Sequence, residues 1–170
     1  SGSGKSSLLD SLAGHLPASG QFLVDGSPMS PCDLRWRETC AFVRQEPELV
    51  PGTLADNLRD FPGWTETPVL ANAVDQVLSG RVTGTGGNVT IDEKGVSVGQ
   101  RRAIAVLRAL GSDAPVLLLD EPVAGLDDAL VKPIAEAIAE AHHQGRMVLV
   151  TAHEHELERT GIDGARIIRL

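Results

Sequence analysis

Short apolar runs and stretches of helical spacing alternate along the chain. Residues 116–119 and 147–150 are apolar throughout, as in strands whose two faces are both covered. Between them, residues 128–141 place apolar side chains three or four positions apart, which predicts a helix. Strands that alternate with helices favour a parallel sheet, because each helix carries the chain back to the edge where the next strand starts. The pattern therefore predicts an α/β fold.

The same pattern places the other elements. Further helices are predicted at residues 6–15, 69–78 and 100–110, and further strands at residues 21–24, 39–43 and 165–170. A turn is predicted at Asp25-Gly26, since both residue types tolerate the backbone conformations of tight turns. The sequence contains no repeat and no flexible linker. We therefore interpret residues 46–110 as a helical subdomain inserted into one core, which residues 1–45 and 111–170 form.

Composition and charge narrow the functions that are compatible with this fold. The 170 residues suffice for one domain with a hydrophobic core, and the net charge of −8 argues against a nucleic-acid partner. No apolar run approaches the roughly 20 residues that cross a bilayer, so we expect any link to a membrane to come from another segment or subunit. Cys32 and Cys40 are expected to be reduced thiols of a cytosolic protein.

The first residues carry a candidate phosphate-binding loop, Ser1-Gly2-Ser3-Gly4-Lys5-Ser6-Ser7. Glycines let the backbone turn its amide groups toward phosphate oxygens, and the helix predicted next adds its positive N-terminal end. Lys5 would contact the β- and γ-phosphates, and the Ser6 hydroxyl would bind Mg²⁺. The alternative is a Ser/Gly linker that only resembles such a loop. The full motif starts with a glycine upstream of Ser1, so we expect the chain to be incomplete there.

A second candidate site follows the apolar run at residues 116–119, which ends on Asp120-Glu121. Ligands of parallel sheets gather at the carboxyl ends of the strands, so Asp120 would face the Mg²⁺ held by Ser6. Glu121 would lie over the γ-phosphate, where it could orient the attacking water or accept its proton. The alternative is an acid pair at a helix N-terminus, where the helix dipole favours negative charge.

Further residues between and after these motifs resemble a known family. Residues 96–100, Val-Ser-Val-Gly-Gln, resemble the L-S-G-G-Q signature of ATP-binding cassette (ABC) ATPases. Gln45 resembles the family's Q-loop glutamine, residues 125–127 its D-loop, and His153 its switch histidine. The likeness covers nearly the whole chain in the family's order. It implies an α/β fold with a P-loop NTPase core, a mainly parallel sheet and an inserted helical subdomain.

The resemblance also implies how the sites work. ABC ATPases form a head-to-tail dimer in which each of two ATP molecules, with Mg²⁺, contacts the phosphate loop of one chain and the signature of the other. The catalytic residues implied are Glu121, His153 and Gln45, and the metal ligands are Ser6, Gln45 and Asp120. The implied nucleotide-binding residues are Ser1, Gly2, Ser3, Gly4, Lys5, Ser6, Ser7, Ser97, Gly99, Gln100 and Asp127.

A narrower likeness surrounds Gln45. Leu34-Arg35, residues 42–45 and residues 52–58 resemble the corresponding runs of exporter-type cassettes. In those proteins the ATPase follows a membrane-spanning half, so the resemblance implies transmembrane domains as partners, in the same chain or in another subunit. It also implies ATP-driven export, with this domain at the cytoplasmic face of the cell membrane. Residues 95–101 are similar to the corresponding residues of bacterial exporters of thiol compounds such as cysteine and glutathione.

Departures from the family pattern lead to one further hypothesis. Val98 stands where the signature has its first glycine, and Ala103 and Leu107 replace residues that are more often Arg and Ala. We therefore hypothesise one half of a heterodimer with unequal sites, in which the altered signature forms the weaker site. Two alternatives to an exporter ATPase stay open: a soluble cassette ATPase in DNA repair or translation, and an inactive truncated remnant.

Overall fold

The computed structural model describes residues 3–59, 63–79, 90–91 and 97–160. Its helices are α1 (Lys5–Leu12), α2 (Leu34–Thr39), α3 (Leu54–Asn57), α4 (Pro68–Ser79), α5 (Val98–Gly111), α6 (Asp128–His143) and α7 (Glu154–Thr160). Its strands are β1 (Leu23–Val24), β2 (Ser27–Pro28), β3 (Cys40–Val43), β4 (Gly52–Thr53), β5 (Thr90–Ile91), β6 (Val116–Asp120) and β7 (Met147–Thr151).

The central sheet has three parallel strands in the order β3-β6-β7. Ala41 pairs with Leu117, and Asp120 at the end of β6 pairs with Thr151 at the end of β7. This register brings the carboxyl ends of the strands to one edge of the sheet, where parallel sheets bind their ligands. The parallel sheet confirms the predicted α/β class.

The middle strand β6 is buried at all five positions, and its side chains alternate between two hydrophobic clusters. Leu117 and Leu119 belong to the larger cluster, which also contains side chains of α4, α5 and α6. Val116 and Leu118 belong to the smaller cluster, with Leu9 of α1 and a side chain of α2. Helices therefore cover both faces of β6, which explains why its first four positions are all apolar.

Helix α4 lies in the segment that we predicted to be an inserted subdomain, and it packs against α5 and α6. Leu70 and Val74 of α4 share the larger cluster with Leu117 of the sheet and Ile134 of α6. The described helices of residues 46–110 are thus continuous with the main core. A separate helical subdomain stays a prediction.

Some element ends differ from the predicted ones. Helix α1 stops at Leu12, and the strand predicted at residues 21–24 is reduced to the two residues of β1, which pair with β2. The hairpin is short because it lies at the surface, where most of its side chains are exposed. The predicted turn is confirmed, since Asp25 and Gly26 have φ of 50° and 76°.

The hydrophobic pattern does not predict the short helices α2, α3 and α7. Local caps start two of them: the Asp33 side chain accepts from the Arg35 amide at α2, and Thr53 and Asp56 form a capping box at α3. Helices of so few turns show no recognisable periodicity. The strand predicted at residues 165–170 lies outside the described residues. Among the residues that are described, no helix combines the length and apolar character needed to cross a membrane.

Candidate functional site

Helix α1 begins at the loop that the sequence predicts for phosphate binding. Gly4 is its N-cap and has φ of 88°, a left-handed conformation that glycine adopts without side-chain strain. The first amide groups of a helix lack acceptors within the helix and carry the positive end of its dipole, so the start of α1 suits an anion. The predicted residues Ser1 and Gly2 lie outside the described part of the chain.

The side chains of this loop make local contacts. Lys5 and Ser6 lie in the first turn of α1, and Ser3 and Ser7 are exposed. The Lys5 ammonium donates to Ser3 Oγ over 3.2 Å, between residues two positions apart. Because this bond lies at the exposed side of the loop, a phosphate oxygen could replace the serine hydroxyl at little cost.

Five side chains meet at the carboxyl edge of the sheet, and we call them the acid cluster: Gln45, Asp120, Glu121, Thr151 and His153. Glu121 lies at the centre. Its Oε2 accepts from Gln45 Nε2 over 2.7 Å, and its Oε1 lies 3.1 Å from His153 Nε2. The structure thus brings Gln45 and His153 to the carboxylate of Glu121. These three residues are far apart in sequence, and they are the ones that we predicted to be catalytic.

Both acids of the cluster are buried and hydrogen-bonded. Asp120 is 4% exposed and Glu121 is 9% exposed. Asp120 Oδ1 accepts a hydrogen bond from the Thr151 hydroxyl, and the Glu121 amide donates to the same hydroxyl oxygen over 3.1 Å. Such partners are required because desolvating an unpaired charge is costly. They fix both acids at the end of the strand, at the carboxyl edge of the sheet.

Helix α5 begins at the residues that resemble the signature. The Ser97 hydroxyl accepts from the Gln100 amide over 3.2 Å, and the Gln100 side chain accepts from the Ser97 amide over 3.1 Å. This reciprocal pair is a capping box, which satisfies two amide groups at the helix start. Val98 is 68% exposed beside it. The side chains of Ser97 and Gln100, both predicted to bind nucleotide, therefore bond to each other's backbone.

Gly99, another residue predicted to bind nucleotide, is in close contact with the D-loop-like residues. A Cβ at Gly99 would lie 2.5 Å from the carbonyl oxygen of Gly125, which is closer than real side chains come to backbone. The start of α5 therefore rests on the backbone at Gly125. Asp127 is exposed at the N-cap of α6, two residues further along.

Arg102 of α5 links three parts of the site. It is 6% exposed, and its Nε donates to the carbonyl oxygen of Gln45 over 3.0 Å. One terminal nitrogen donates to the same oxygen, and the other donates to the carbonyl oxygen of Ala124. The guanidinium of α5 thus holds the backbone of Gln45, whose side chain bonds to Glu121, and the backbone of the turn that follows Glu121.

Sequence reasoning missed two of the residues that shape the site, Thr151 and Arg102. A signal existed for Thr151, because it is the first polar residue after the apolar run at 147–150, as Asp120 is after its own run. Arg102 had a weaker signal: it is a charged residue directly before the apolar stretch at 103–107. Neither signal identifies the partner atom, which depends on how distant elements pack.

A glycine loop at the start of a helix, together with two buried acids at the end of a central parallel strand, defines the class of the P-loop NTPase α/β fold. The comparisons with known proteins narrow the class. The family model described as ABC transporter matches residues 1–124. The chain belongs to the ABC transporter family.

Three curated relatives illustrate the range of the similarity. The glutathione/L-cysteine transport system ATP-binding/permease protein of Escherichia coli is 37% identical over 169 residues, covering 93% of this chain and 27% of that protein. The ATP-dependent lipid A-core flippase of Burkholderia orbicola is 36% identical over 163 residues, with coverages of 90% and 27%. The mycobactin import ATP-binding/permease protein of Mycobacterium tuberculosis is 33% identical over 162 residues, with coverages of 90% and 28%.

These findings confirm the recognition of an ABC ATPase domain of the exporter type, and they identify ATP as its ligand. The chain spans only 27% to 28% of the length of these three relatives. The similarity therefore identifies the ATPase domain and leaves the transported substrate and the partners of the whole protein to be proposed.

Proposed function

We propose that this chain is the Mg²⁺-dependent ATP-hydrolysing domain that powers export through an exporter-type ABC transporter. The observation that carries the proposal is the Glu121 carboxylate, which is buried beside Asp120, accepts from Gln45 and lies 3.1 Å from His153. A carboxylate held in this way can orient a water molecule and accept its proton during attack on a phosphate. Gln45 and His153 would position that water and the γ-phosphate.

The residues present suit Mg²⁺, which prefers oxygen ligands and keeps several waters and phosphate oxygens around it. Asp120 supplies a buried carboxylate and Ser6 a hydroxyl at the first turn of α1. Gln45 has its amide nitrogen on Glu121, so its amide oxygen is the atom left for the metal. When bound, Mg²⁺ neutralises charge on the phosphates. Lys5 and the amide groups at the start of α1 would hold the β- and γ-phosphates.

The decisive test is the Glu121→Gln variant of the intact transporter. Glutamine keeps the shape of the side chain but cannot accept a proton, so ATP turnover should fall by about 10² to 10⁴-fold while ATP binding persists. A matched control is Glu136→Gln, which changes an exposed carboxylate on α6 that pairs with Lys132. Turnover of the Glu121 variant equal to that of the control would refute the proposed role.

The proposal includes a head-to-tail dimer in which ATP joins two ATPase domains. Ser97, Gly99, Gln100 and Asp127 would contact the nucleotide held by the partner's phosphate loop. The exposed start of α5, with Ser97 and Val98 at the surface, supports this arrangement, because a helix N-terminus attracts phosphate. The Glu121→Gln variant should then form a stable dimer with ATP, measured by chemical crosslinking of the two domains. Crosslinking that does not respond to ATP would contradict the dimer.

We further propose a heterodimer with unequal sites. The exposed, β-branched Val98 would crowd a facing nucleotide where the family signature has glycine. Val98→Gly should therefore raise the turnover of the site that contains this signature, and leave the site containing Lys5 unchanged. Single-turnover measurements on the assembled pair separate the two sites. No change at either site would refute the hypothesis.

Transmembrane domains are the partners that we propose, and the cytoplasmic face of the membrane is the proposed location. The names of two relatives join ATP binding to a permease, which supports such a partner. Thiol compounds such as cysteine and glutathione are the first substrates to test, because residues 95–101 and the E. coli relative both point to them. ATP-dependent uptake of labelled glutathione by inverted vesicles would support export. Uptake without ATP would not.

The division of the chain into a core and an inserted helical part belongs to the same proposal. The core would comprise residues 1–45 and 111–170, and the insert residues 46–110. Arg102 would couple the two parts, because its guanidinium donates to the carbonyl oxygens of Gln45 and Ala124 in the core. The insert would then report the state of the nucleotide site to whatever binds the helical part.

A further inference from the structure

Thr151 is the last residue of β7, and it lies opposite Asp120 in the parallel register of β6 and β7. The four pairs before it are purely apolar, ending with Leu119 opposite Val150. The sheet therefore changes from apolar to polar on both strands at the same level, and Thr151 is 8% exposed there. A valine would fit the shape and strand preference of this position equally well, so the hydroxyl needs its own explanation.

The hydroxyl of Thr151 bonds to both acids. It donates its single hydrogen to Asp120 Oδ1, and its oxygen accepts the Glu121 amide over 3.1 Å. The same amide also lies 3.1 Å from the carbonyl oxygen of Thr151. One residue thus holds the carboxylate of one acid and the backbone of the next.

The backbone of Glu121 requires such support. Its φ is 49°, in the left-handed region, which is strained for a residue with a side chain. Described contacts that hold this conformation are those from Thr151 and the bond from the Ala124 amide to the Glu121 carbonyl oxygen, at 3.1 Å. The conformation sets the direction in which the Glu121 side chain leaves the strand, toward Gln45 and His153.

We infer that Thr151 is a positioning residue for ATP hydrolysis: its hydroxyl orients the metal-binding carboxylate of Asp120 and holds Glu121 where it can act on water. The inference rests on the proposed function of the acid pair. It extends that function to a residue of the neighbouring strand, which acts through the two acids rather than on the nucleotide.

The test compares Thr151→Val with Thr151→Ser in the intact transporter. Valine keeps the shape but removes the hydroxyl and both of its hydrogen bonds, so the acids lose their orientation and turnover should fall by about tenfold. The KM for ATP should change far less. Serine keeps the hydroxyl and should restore most of the turnover. Thr39→Val is the matched control, since it removes a partly buried hydroxyl that bonds to Trp36 at a distance from the acids.

A binding measurement complements turnover. The Mg²⁺ concentration that half-saturates binding of a fluorescent ATP analogue should rise in Thr151→Val and stay unchanged in Thr151→Ser and Thr39→Val. If the valine variant does not fold, Thr151→Cys keeps the size with a weaker donor and should show intermediate turnover. Unchanged turnover and Mg²⁺ dependence in the valine variant, or in the cysteine variant that replaces it, would overturn the inference. An equal loss in serine and valine would also overturn it.

The Glu121→Gln variant, measured in the same assay, separates a failure of the inference about Thr151 from a failure of the proposed function. If it loses turnover while Thr151→Val keeps it, the inference about Thr151 fails and the proposed function stands. If Glu121→Gln hydrolyses ATP at the normal rate, the proposed function itself fails, and with it the inference.

Discussion

The phosphate loop, residues 3–7, and the acid cluster belong to one proposed site, but their contacts have different ranges. Lys5 bonds to Ser3, two positions away. In the acid cluster, Gln45 bonds to Glu121 across 76 positions, and Thr151 bonds to Asp120 across 31. The loop is therefore a local structure that a short sequence motif specifies. The cluster exists only when the sheet has formed in its correct register, so its geometry depends on the whole core.

Arg102→Met tests the contacts between distant residues, and we expect it to destabilise the fold more than any other substitution in this comparison. The buried guanidinium holds Gln45 and Ala124 through their carbonyl oxygens, so its loss should lower the free energy of unfolding by about 2 to 3 kcal/mol. Urea denaturation measures the change. The control is Arg35→Met, because Arg35 is 79% exposed and pairs only locally, with Asp33, in the described contacts. Equal stability of the two variants would show that the long-range contacts of Arg102 stabilise the fold no more than the local pair of Arg35.

Lys5→Ala tests the local side. The lysine contacts only Ser3 in the described hydrogen bonds, so its loss should change the free energy of unfolding by less than about 0.5 kcal/mol. ATP affinity, measured by isothermal titration calorimetry, should fall by about 2 kcal/mol, or roughly 30-fold, since a charge-assisted bond to phosphate disappears. Lys132→Ala on α6 is the control, because its side chain is 82% exposed. Unchanged ATP affinity would refute the assignment of the loop.

Gly4→Ala should change stability only slightly, and it tests whether the phosphate loop is independent of the core. Nothing lies within 4 Å of the added methyl group, so the cost comes from φ of 88° alone, about 1 kcal/mol. Gly145, after α6, has φ of 90° and equally open surroundings. Both alanine variants should therefore lose the same stability in urea denaturation, while only Gly4→Ala should also weaken ATP binding. A difference in stability between the two would show that the loop is coupled to the core.

Features that depend on neighbouring residues could be predicted from the sequence, as could strands that are covered on both faces. The strand at residues 116–119 was recognisable because helices cover both of its faces, which leaves an unbroken apolar run. Its neighbour β7 has the same apolar run at residues 147–150. Met147 is nevertheless exposed, and Thr151 is the one buried residue of this strand. The turn at Asp25-Gly26 was predictable because its backbone conformation depends on two residues alone.

The missed features depend on distant contacts or on short segments. Thr151 follows an apolar run that predicts a strand, but only the pairing of β6 with β7 places its hydroxyl on Asp120. Arg102 lies in a predicted helix, and its partners are backbone oxygens, which carry no side-chain signal. The contact of α4 with α6 likewise joins segments that are distant in sequence. In each case the residue type was visible and the partner was not.

The contact between Gly99 and the carbonyl oxygen of Gly125 changes how mutations in the signature are interpreted. Any side chain at position 99 would push the helix off the neighbouring loop before a nucleotide is involved. A loss of activity in a Gly99 variant would therefore include the effect of disturbed packing, and would not by itself measure the proposed contact with nucleotide. Val98, one residue earlier, is 68% exposed, so a change of side chain there would disturb the packing of the chain less. Genetic variation at position 98 would thus record selection by whatever faces the start of α5, whereas invariance at position 99 would reflect the packing within one chain as well as the proposed contact with nucleotide.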